Sequence, residues 1–162
     1  MSDLAPYIVV GLGNEFRSDD ACGPIAARLA GRLCGKKIQV IEPLADGTGL
    51  VMMWGNVKLA VLIDSVKSGA SAGYVYRFEP LNETIPEEVF RPITTHRLSV
   101  TQIIRLGRIL RQLPKRLIIY GVEGVNFDYG TTMTPAVAEA ARDVAARIAA
   151  EIKQSSDVAV HC

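Results

Sequence analysis

Short apolar runs rich in β-branched residues alternate along this chain with helical patterns, and this alternation constrains its fold more than any other feature. The most apolar run covers residues 59–63 (LAVLI), and residues 7–12 (YIVVGL) form a similar one. Such runs are typical of strands buried on both faces, as found in parallel sheets covered by helices. Two further strands are predicted at residues 38–41 and 117–120, and a more exposed one at residues 73–78.

Helical periodicity separates most of these runs. Ile25, Leu29 and Leu33 recur at a spacing of four and predict a helix that buries this apolar face. A second helix is predicted over residues 95–112. The link before residues 73–78 is too short for a helical crossover, so this strand is predicted to be an antiparallel edge or hairpin strand.

The last helix is predicted to begin at Pro135, with Thr134 as its N-cap, and to end at Lys153. Alternating strands and helices predict an α/β fold with a mostly parallel, doubly wound sheet. No linker or repeat interrupts the pattern, so we expect a single domain over residues 1–153 and a frayed tail over residues 154–162. The buried face of the last helix is expected to carry Val137, Ala141, Val144, Ile148 and Ile152.

The composition is that of a globular protein, with 49% hydrophobic and 22% charged residues and a formal net charge of +1. This balance offers no electrostatic basis for binding nucleic acid or an anionic membrane. No apolar run approaches the ~20 residues of a membrane-spanning helix, and the N-terminal residues lack a signal-peptide pattern. Three cysteines without a CxxC pair predict neither a disulfide framework nor a zinc ribbon. We therefore expect a cytoplasmic protein.

Candidate functional residues follow from the rule that open α/β sheets bind ligands at the carboxyl ends of their strands. Asp19 and Asp20 lie in the loop after the first strand, and Asp64 directly follows residues 59–63. Asp19 is best explained as a helix cap that accepts backbone N–H groups. For the other two the alternatives stay open: Asp20 caps the helix or belongs to a site, and Asp64 starts a solvated turn or belongs to a site.

His96 enters the second predicted helix from a proline-bounded loop. A helix N-terminus would keep its imidazole neutral and able to offer a lone pair to a metal, although a surface histidine is the alternative. Together, Asp20, Asp64 and His96 offer two carboxylates and one imidazole. This ligand set suits a divalent transition ion such as nickel or zinc, with coordination positions left open.

A dinucleotide site is one alternative, because Gly11 and Gly13 follow a strand and Glu42 ends the next one. Phe16, however, stands where the third glycine is expected, and acidic residues in the same loop would repel a pyrophosphate. Serine catalysis has no support from a GxSxG nucleophile motif. The pattern around Cys22 indicates a packed, inert thiol rather than a thiolate at a helix N-terminus.

Four segments of the chain resemble the [NiFe]-hydrogenase maturation proteases. They cover residues 11–23 (GLGNEFRSDDACG), 61–79 (VLIDSVKSGASAGYVYRFE), 95–100 (THRLSV) and 120–135 (YGVEGVNFDYGTTMTP), in register over nearly the whole chain. The resemblance implies a three-layer α/β sandwich, with helices on both faces of a twisted, mostly parallel five-stranded sheet. It also implies an aspartyl-type endopeptidase that removes the C-terminal extension of a hydrogenase large-subunit precursor after nickel insertion.

The resemblance assigns the family's metal-contacting acid to Asp20, its strand-end aspartate to Asp64 and its histidine to His96, as metal ligands and catalytic residues. It implies that they sense nickel carried by the substrate, so the protease needs neither an organic cofactor nor a catalytic metal of its own. The family's Asp-Gly-Gly-Thr-like segment appears here as DGTG at residues 46–49, which leaves the role of Asp46 open. Further candidates for the site are Asn14, Asp46 and Thr95.

Two other functions stay open from the sequence. A metal-dependent chaperone would dock on the same precursor without cutting it, and a dinucleotide-binding oxidoreductase would need affinity for NAD or FAD. The partner that the resemblance implies is the large-subunit precursor. We expect a monomer that binds neither nucleic acid nor a membrane.

Overall fold

The computed structural model describes residues 5–42, 48–93 and 97–160. In this part of the chain, five strands form one sheet in the order β2-β1-β3-β5-β4. β1 pairs in parallel with β2 and β3, β3 pairs in parallel with β5, and β4 lies antiparallel to β5 at the edge. The predicted mostly parallel sheet is confirmed. The strands are β1 (Tyr7–Gly11), β2 (Ile38–Ile41), β3 (Leu59–Val66), β4 (Val75–Phe78) and β5 (Arg116–Glu123).

Helices cover both faces of this sheet, which confirms the three-layer sandwich. α1 and α4 pack on one face against alternate residues of the central strands, and α2 and α3 pack on the other. A short 3-10 helix, Ser18–Ala21, leads directly into α1. None of the helices in the described ranges combines the length and hydropathy that a membrane span requires. The helices are α1 (Cys22–Cys34), α2 (Thr48–Trp54), α3 (Val100–Ile109) and α4 (Pro135–Val160).

Only part of the predicted apolar face of α1 is buried, since Ile25 and Leu29 are partly buried and pack against the core while Leu33 does not. Leu33 is 61% exposed, and the helix turns small residues such as Ala26 and Ala30 toward the sheet. The close approach of helix and sheet explains this choice, because a Cβ atom at Gly23 would lie 2.1 Å from the carbonyl oxygen of Leu12. The short distance between α1 and the sheet therefore favours small side chains on the buried face, whereas the sequence pattern pointed to the large ones. The face predicted for α4, in contrast, is confirmed throughout.

Several boundaries were predicted wrongly. β3 continues through Asp64 to Val66 instead of ending before it. The antiparallel edge strand predicted at residues 73–78 is confirmed as β4, with β5 as its partner. α3 begins at Val100 rather than near residue 95, because Ser99 forms a capping box with Gln102. α4 continues to Val160, although the sequence predicts a frayed tail after Lys153.

α2 is absent from the sequence prediction. It is only seven residues long, and its apolar pattern has too few repeats to stand out. Leu50, Val51 and Trp54 are buried against the α3 side of the sheet. The indole N–H of Trp54 donates to the carbonyl oxygen of Gln112 at 2.6 Å, so this polar group is satisfied inside the core.

Candidate active site

Asp20 is held at the end of the loop that follows β1. It is 2% exposed, and neither the 3-10 helix nor α1 has a side-chain cap, so Asp20 does not cap its own helix. Its Oδ2 accepts the backbone N–H of Asn14 at 2.8 Å, and its Oδ1 accepts the hydroxyl of Ser65 at 2.6 Å. These two bonds fix the carboxylate against β3.

Asp64 lies within β3, but at the first position beyond the pairing of β1. The ladder between these strands ends at Gly11 and Ile63, so Asp64 faces the open carboxyl edge of β1. On its other side it pairs with Gly121 of β5. The sequence-based alternative of a solvated turn is therefore wrong: the residue is in a strand and only 8% exposed.

The guanidinium of Arg97 brings the two carboxylates together. Its Nη2 lies 3.3 Å from Oδ1 of Asp64 and 3.8 Å from Oδ1 of Asp20. Successive strand residues point to opposite faces, so Asp64 faces the layer of α2 and α3 while Ser65 faces α1 and Asp20. The site thus lies across the end of the sheet, where both layers meet.

Burial dominates the electrostatics of this pair. It raises the pKa of Asp64 to about 7, with the Arg97 charge acting in the opposite direction and the Asp20 charge in the same direction. A carboxyl group in this range exchanges protons readily at neutral pH. The arrangement can therefore bind a cation or act as a general base or acid.

Arg97 and Ser65 were missed as site residues by sequence reasoning. Both lie next to a predicted site residue, Arg97 after His96 and Ser65 after Asp64. The sequence signal that could have found Arg97 is a basic side chain beside a predicted acidic site. Ser65 gives no such signal, because nothing in the sequence shows that its hydroxyl reaches Asp20 from another element.

Asp19 has a different role from the predicted cap. It is fully buried, and its carboxylate accepts the N–H groups of Val125, Asn126 and Thr134 and the hydroxyl of Thr134, at 2.7–2.9 Å. Burial by itself would raise the pKa of Asp19, but these four hydrogen bonds hold it below its ordinary value. The residue therefore joins the loop between β5 and α4 to the loop that carries Asp20.

The remaining candidates divide into two groups. His96, Thr95 and Asp46 lie outside the described residues. Asn14 lies at the site through its backbone N–H, while its side-chain oxygen accepts the N–H of Phe16. No group of three potential metal-binding side chains occurs among the residues that the structure describes, to which His96 does not belong.

A cleft of about 210 Å³ lies on the other side of Arg97 from Asp64. It is lined by backbone of the first loop, by an ion-paired group of Arg28 with Glu15 and Glu42, and by Arg97. Glu42, which the dinucleotide interpretation would place on a ribose, thus has an arginine partner. Gly11 is required for packing, since a Cβ atom there would lie 2.4 Å from the Gly23 carbonyl oxygen.

Cys22 is fully buried in the core at the start of α1, where its thiol is out of reach of a substrate. Burial raises the pKa of its thiol to about 12, and the nearby carboxylates act in the same direction. The prediction of a packed, inert cysteine is confirmed.

Comparison with known proteins shows a consistent relationship. Residues 25–151 match the family model described as HycI, hydrogenase maturation protease. The hydrogenase expression/formation protein HupD of Thiocapsa roseopersicina is 24% identical over 136 residues, which is 82% of this chain and 61% of HupD. The chain thus spans less than two thirds of the length of this curated relative.

Two solved structures show that the fold is shared. The hydrogenase maturating endopeptidase HybD from E. coli superposes with a TM-score of 0.78 at 19% identity, covering 92% of this chain and 93% of HybD. The [NiFe] hydrogenase maturation protease HycI from Thermococcus kodakarensis KOD1 gives a TM-score of 0.67 at 22% identity, covering 94% and 95%.

Proposed function

Because this chain belongs to the hydrogenase maturation protease family, we propose that it is an endopeptidase acting on a [NiFe]-hydrogenase large-subunit precursor. It removes the C-terminal extension of the precursor after nickel has been inserted. The nickel is part of the substrate, and the protein needs no organic cofactor. The names of the similar proteins support the hydrogenase context of this proposal.

The observation that carries the proposal is the convergence of Asp20 and Asp64 on one cationic position. One carboxylate oxygen from each residue faces the same guanidinium nitrogen of Arg97. Two carboxylates directed at one point form half of a ligand set for a divalent ion. His96, the residue before Arg97 in the sequence, is the proposed third ligand and adds the imidazole nitrogen that nickel binds well.

Asp64 is the better placed of the two carboxylates to act as general base. Burial raises the pKa of Asp64 to about 7 in the metal-free protein, and a bound cation would lower it, so Asp64 is ionised and able to accept a proton once nickel is in place. It takes a proton from the water that attacks the scissile carbonyl and returns it to the amine that leaves. Asp20, fixed by Asn14 and Ser65, stays in place as the second ligand.

The remaining properties stay predictions. We expect the protein to act as a monomer in the cytoplasm, with the large-subunit precursor as its partner. We expect no affinity for nucleic acid or for a membrane surface, because the net charge of +1 provides no basis for either.

Processing of two forms of the precursor tests the proposal. The protein is incubated with nickel-loaded and with nickel-free precursor, and the mass of the precursor is measured over time. We expect loss of the C-terminal extension from the loaded form alone. Equal processing of both forms, or of neither, would contradict the proposal, and a stable complex without mass loss would indicate a chaperone.

Substitutions at the proposed ligands test whether processing of the precursor depends on this site. Asp20→Asn and His96→Ala should lose processing while their circular dichroism spectra stay unchanged. Asp128→Asn is the matched control, because Asp128 is an exposed carboxylate in the loop before α4. Retained activity in the two site variants would remove the proposed ligands from the mechanism.

A further inference from the structure

Arg97 has a position that neither the family relationship nor the proposed hydrolysis explains. We propose that its guanidinium is an internal counter-cation, which occupies the metal position between Asp20 and Asp64 until the nickel of the precursor displaces it. Arg97 would then determine specificity: the site accepts a metal presented by a docked protein and rejects free ions. This inference rests on the proposed function.

The contacts of Arg97 are loose compared with those that fix Asp20. Charge-assisted bonds between a guanidinium and a carboxylate are ordinarily about 2.7–2.9 Å long and frequently bidentate. Arg97 makes a single contact of 3.3 Å to Asp64 and one of 3.8 Å to Asp20. Asn14 and Ser65, in contrast, hold Asp20 at 2.8 and 2.6 Å. Departure of Arg97 therefore leaves the Asp20 carboxylate in position.

The Arg97 side chain is partly exposed to solvent and can move away from the carboxylates. Its side chain is 26% exposed, so the guanidinium can be hydrated when it leaves the carboxylates. Arg97 also lies two residues before Ser99, whose capping box fixes the start of α3. The displacement therefore needs rotation of the side chain and no movement of the helix.

Arg97 separates two cavities. One, next to Asp64 and Ser65, has a volume of about 10 Å³, which holds at most one water molecule. The other is the cleft of about 210 Å³ beside the first loop. Because Arg97 lines both, its withdrawal would open the buried carboxylates to the cleft.

The charge of Arg97 and its covalent attachment beside the carboxylates together explain why the site would discriminate between free nickel and nickel bound in the precursor. A free divalent ion must compete with a cation that is covalently tethered beside the carboxylates and therefore has a high effective concentration. Nickel bound in the precursor arrives with the contacts of a docked protein, and these offset the cost of displacing Arg97. The free protein would thus bind nickel weakly, although its two carboxylates converge.

Nickel titration of the free protein tests this inference. The dissociation constant for Ni²⁺ is measured by competition with a colorimetric chelator for the wild type, Arg97→Gln and Arg91→Gln. Arg91 is the matched control, because it is exposed, lines the small cavity and has no ion pair with either carboxylate in the described structure. We expect Arg97→Gln to bind Ni²⁺ about tenfold more tightly or better, and Arg91→Gln to match the wild type.

A second readout uses the precursor. Free Ni²⁺ should inhibit processing of the loaded precursor by Arg97→Gln at concentrations that leave the wild type and Arg91→Gln unaffected. A purely structural role of Arg97 would lower the Tm without tightening nickel binding. An Arg97→Gln dissociation constant within about twofold of the wild type overturns the inference. Should this variant fail to fold, Arg97→Met removes the same charge with better packing and faces the same criterion.

Failure of the inference and failure of the proposed function are distinguishable. The titration uses the protein without precursor. An unchanged dissociation constant for Ni²⁺ would therefore contradict the proposed role of Arg97 without contradicting the proposed protease activity. Equal processing of loaded and nickel-free precursor removes the proposed function, whatever the titration gives.

Discussion

At the residue scale, Asp64 places an ionisable group between buried strands. Its folded pKa of about 7 lies above the unfolded value of 3.8, because burial outweighs the attraction of Arg97. Between these two values the native state binds a proton that the unfolded state has lost. The free energy of unfolding therefore falls as the pH rises from about 4 to about 7, and it stays lower above that range.

Asp64→Asn should consequently stabilise the protein while abolishing processing. The amide keeps the shape of the side chain and removes the buried charge, so we expect a gain of about 1–2 kcal/mol at pH 8 and little change at pH 4. Urea unfolding at both pH values measures this difference. Asp128→Asn, at an exposed position, should change neither value, and a loss of stability in Asp64→Asn at pH 8 would contradict the argument.

At the scale of elements, Asp19 joins two loops that are far apart in sequence. Besides its carboxylate bonds, its backbone N–H donates to the carbonyl of Asn126, and the N–H and hydroxyl of Ser18 donate to the carbonyls of Gly130 and Asp128. The loop before α4 is therefore held against the 3-10 helix that carries Asp20. The position of Asp20, one of the proposed ligands, thus depends on a loop more than 100 residues away in the chain.

Asp19→Ala should release this loop. Three backbone N–H groups and a hydroxyl would lose a charged acceptor, so we expect a loss of about 3 kcal/mol in the free energy of unfolding at pH 7. The folded pKa is lowered, so this contribution is complete above the unfolded value of 3.8 and is lost as the pH falls through the folded value. Hydrogen exchange should accelerate at Val125, Asn126 and Thr134.

The control for this experiment is Asp128→Ala in the same loop. Asp128 is exposed, so exchange at those three amides should stay at the wild-type rate. Unchanged exchange in Asp19→Ala would show that the loop is held by other contacts.

At the scale of the whole molecule, one sheet serves two cores. Alternate residues of β1, β3 and β5 face the α1 and α4 layer, and the others face the α2 and α3 layer. The strands cannot leave one core without also leaving the other, because they contribute residues to both. The physical expectation is a single cooperative unit, as predicted from the absence of linkers in the sequence.

The single tryptophan offers a direct measurement of this cooperativity. Trp54 is fully buried in the α2 and α3 layer, whereas α1 and α4, which dominate the helical circular dichroism, lie on the opposite face. We expect tryptophan fluorescence and far-ultraviolet circular dichroism to give the same urea midpoint. Separate midpoints would show that the two layers unfold independently and would contradict the single-domain prediction.

Local patterns explain why part of this fold could be predicted. Strand runs such as residues 59–63 and the buried face of α4 depend on periodicity within one segment, which a sequence displays directly. The faces of α1 and the existence of α2 could not be predicted in the same way. The buried face of α1 depends on how closely the helix approaches the sheet, since a Cβ atom at Gly23 would lie 2.1 Å from the carbonyl oxygen of Leu12. α2 has only seven residues, too few for its apolar pattern to repeat.

The sequence by itself determined the sheet type and named Asp20 and Asp64 as candidates at its carboxyl edge. Only the tertiary structure decided that Asp19 supports a distant loop, that Asp20 bonds to Ser65, and that Arg97 lies against both acids. The physical reason is that hydrophobic periodicity is a property of neighbouring residues. Partners in these polar contacts become neighbours only when the strand order brings their loops to one edge.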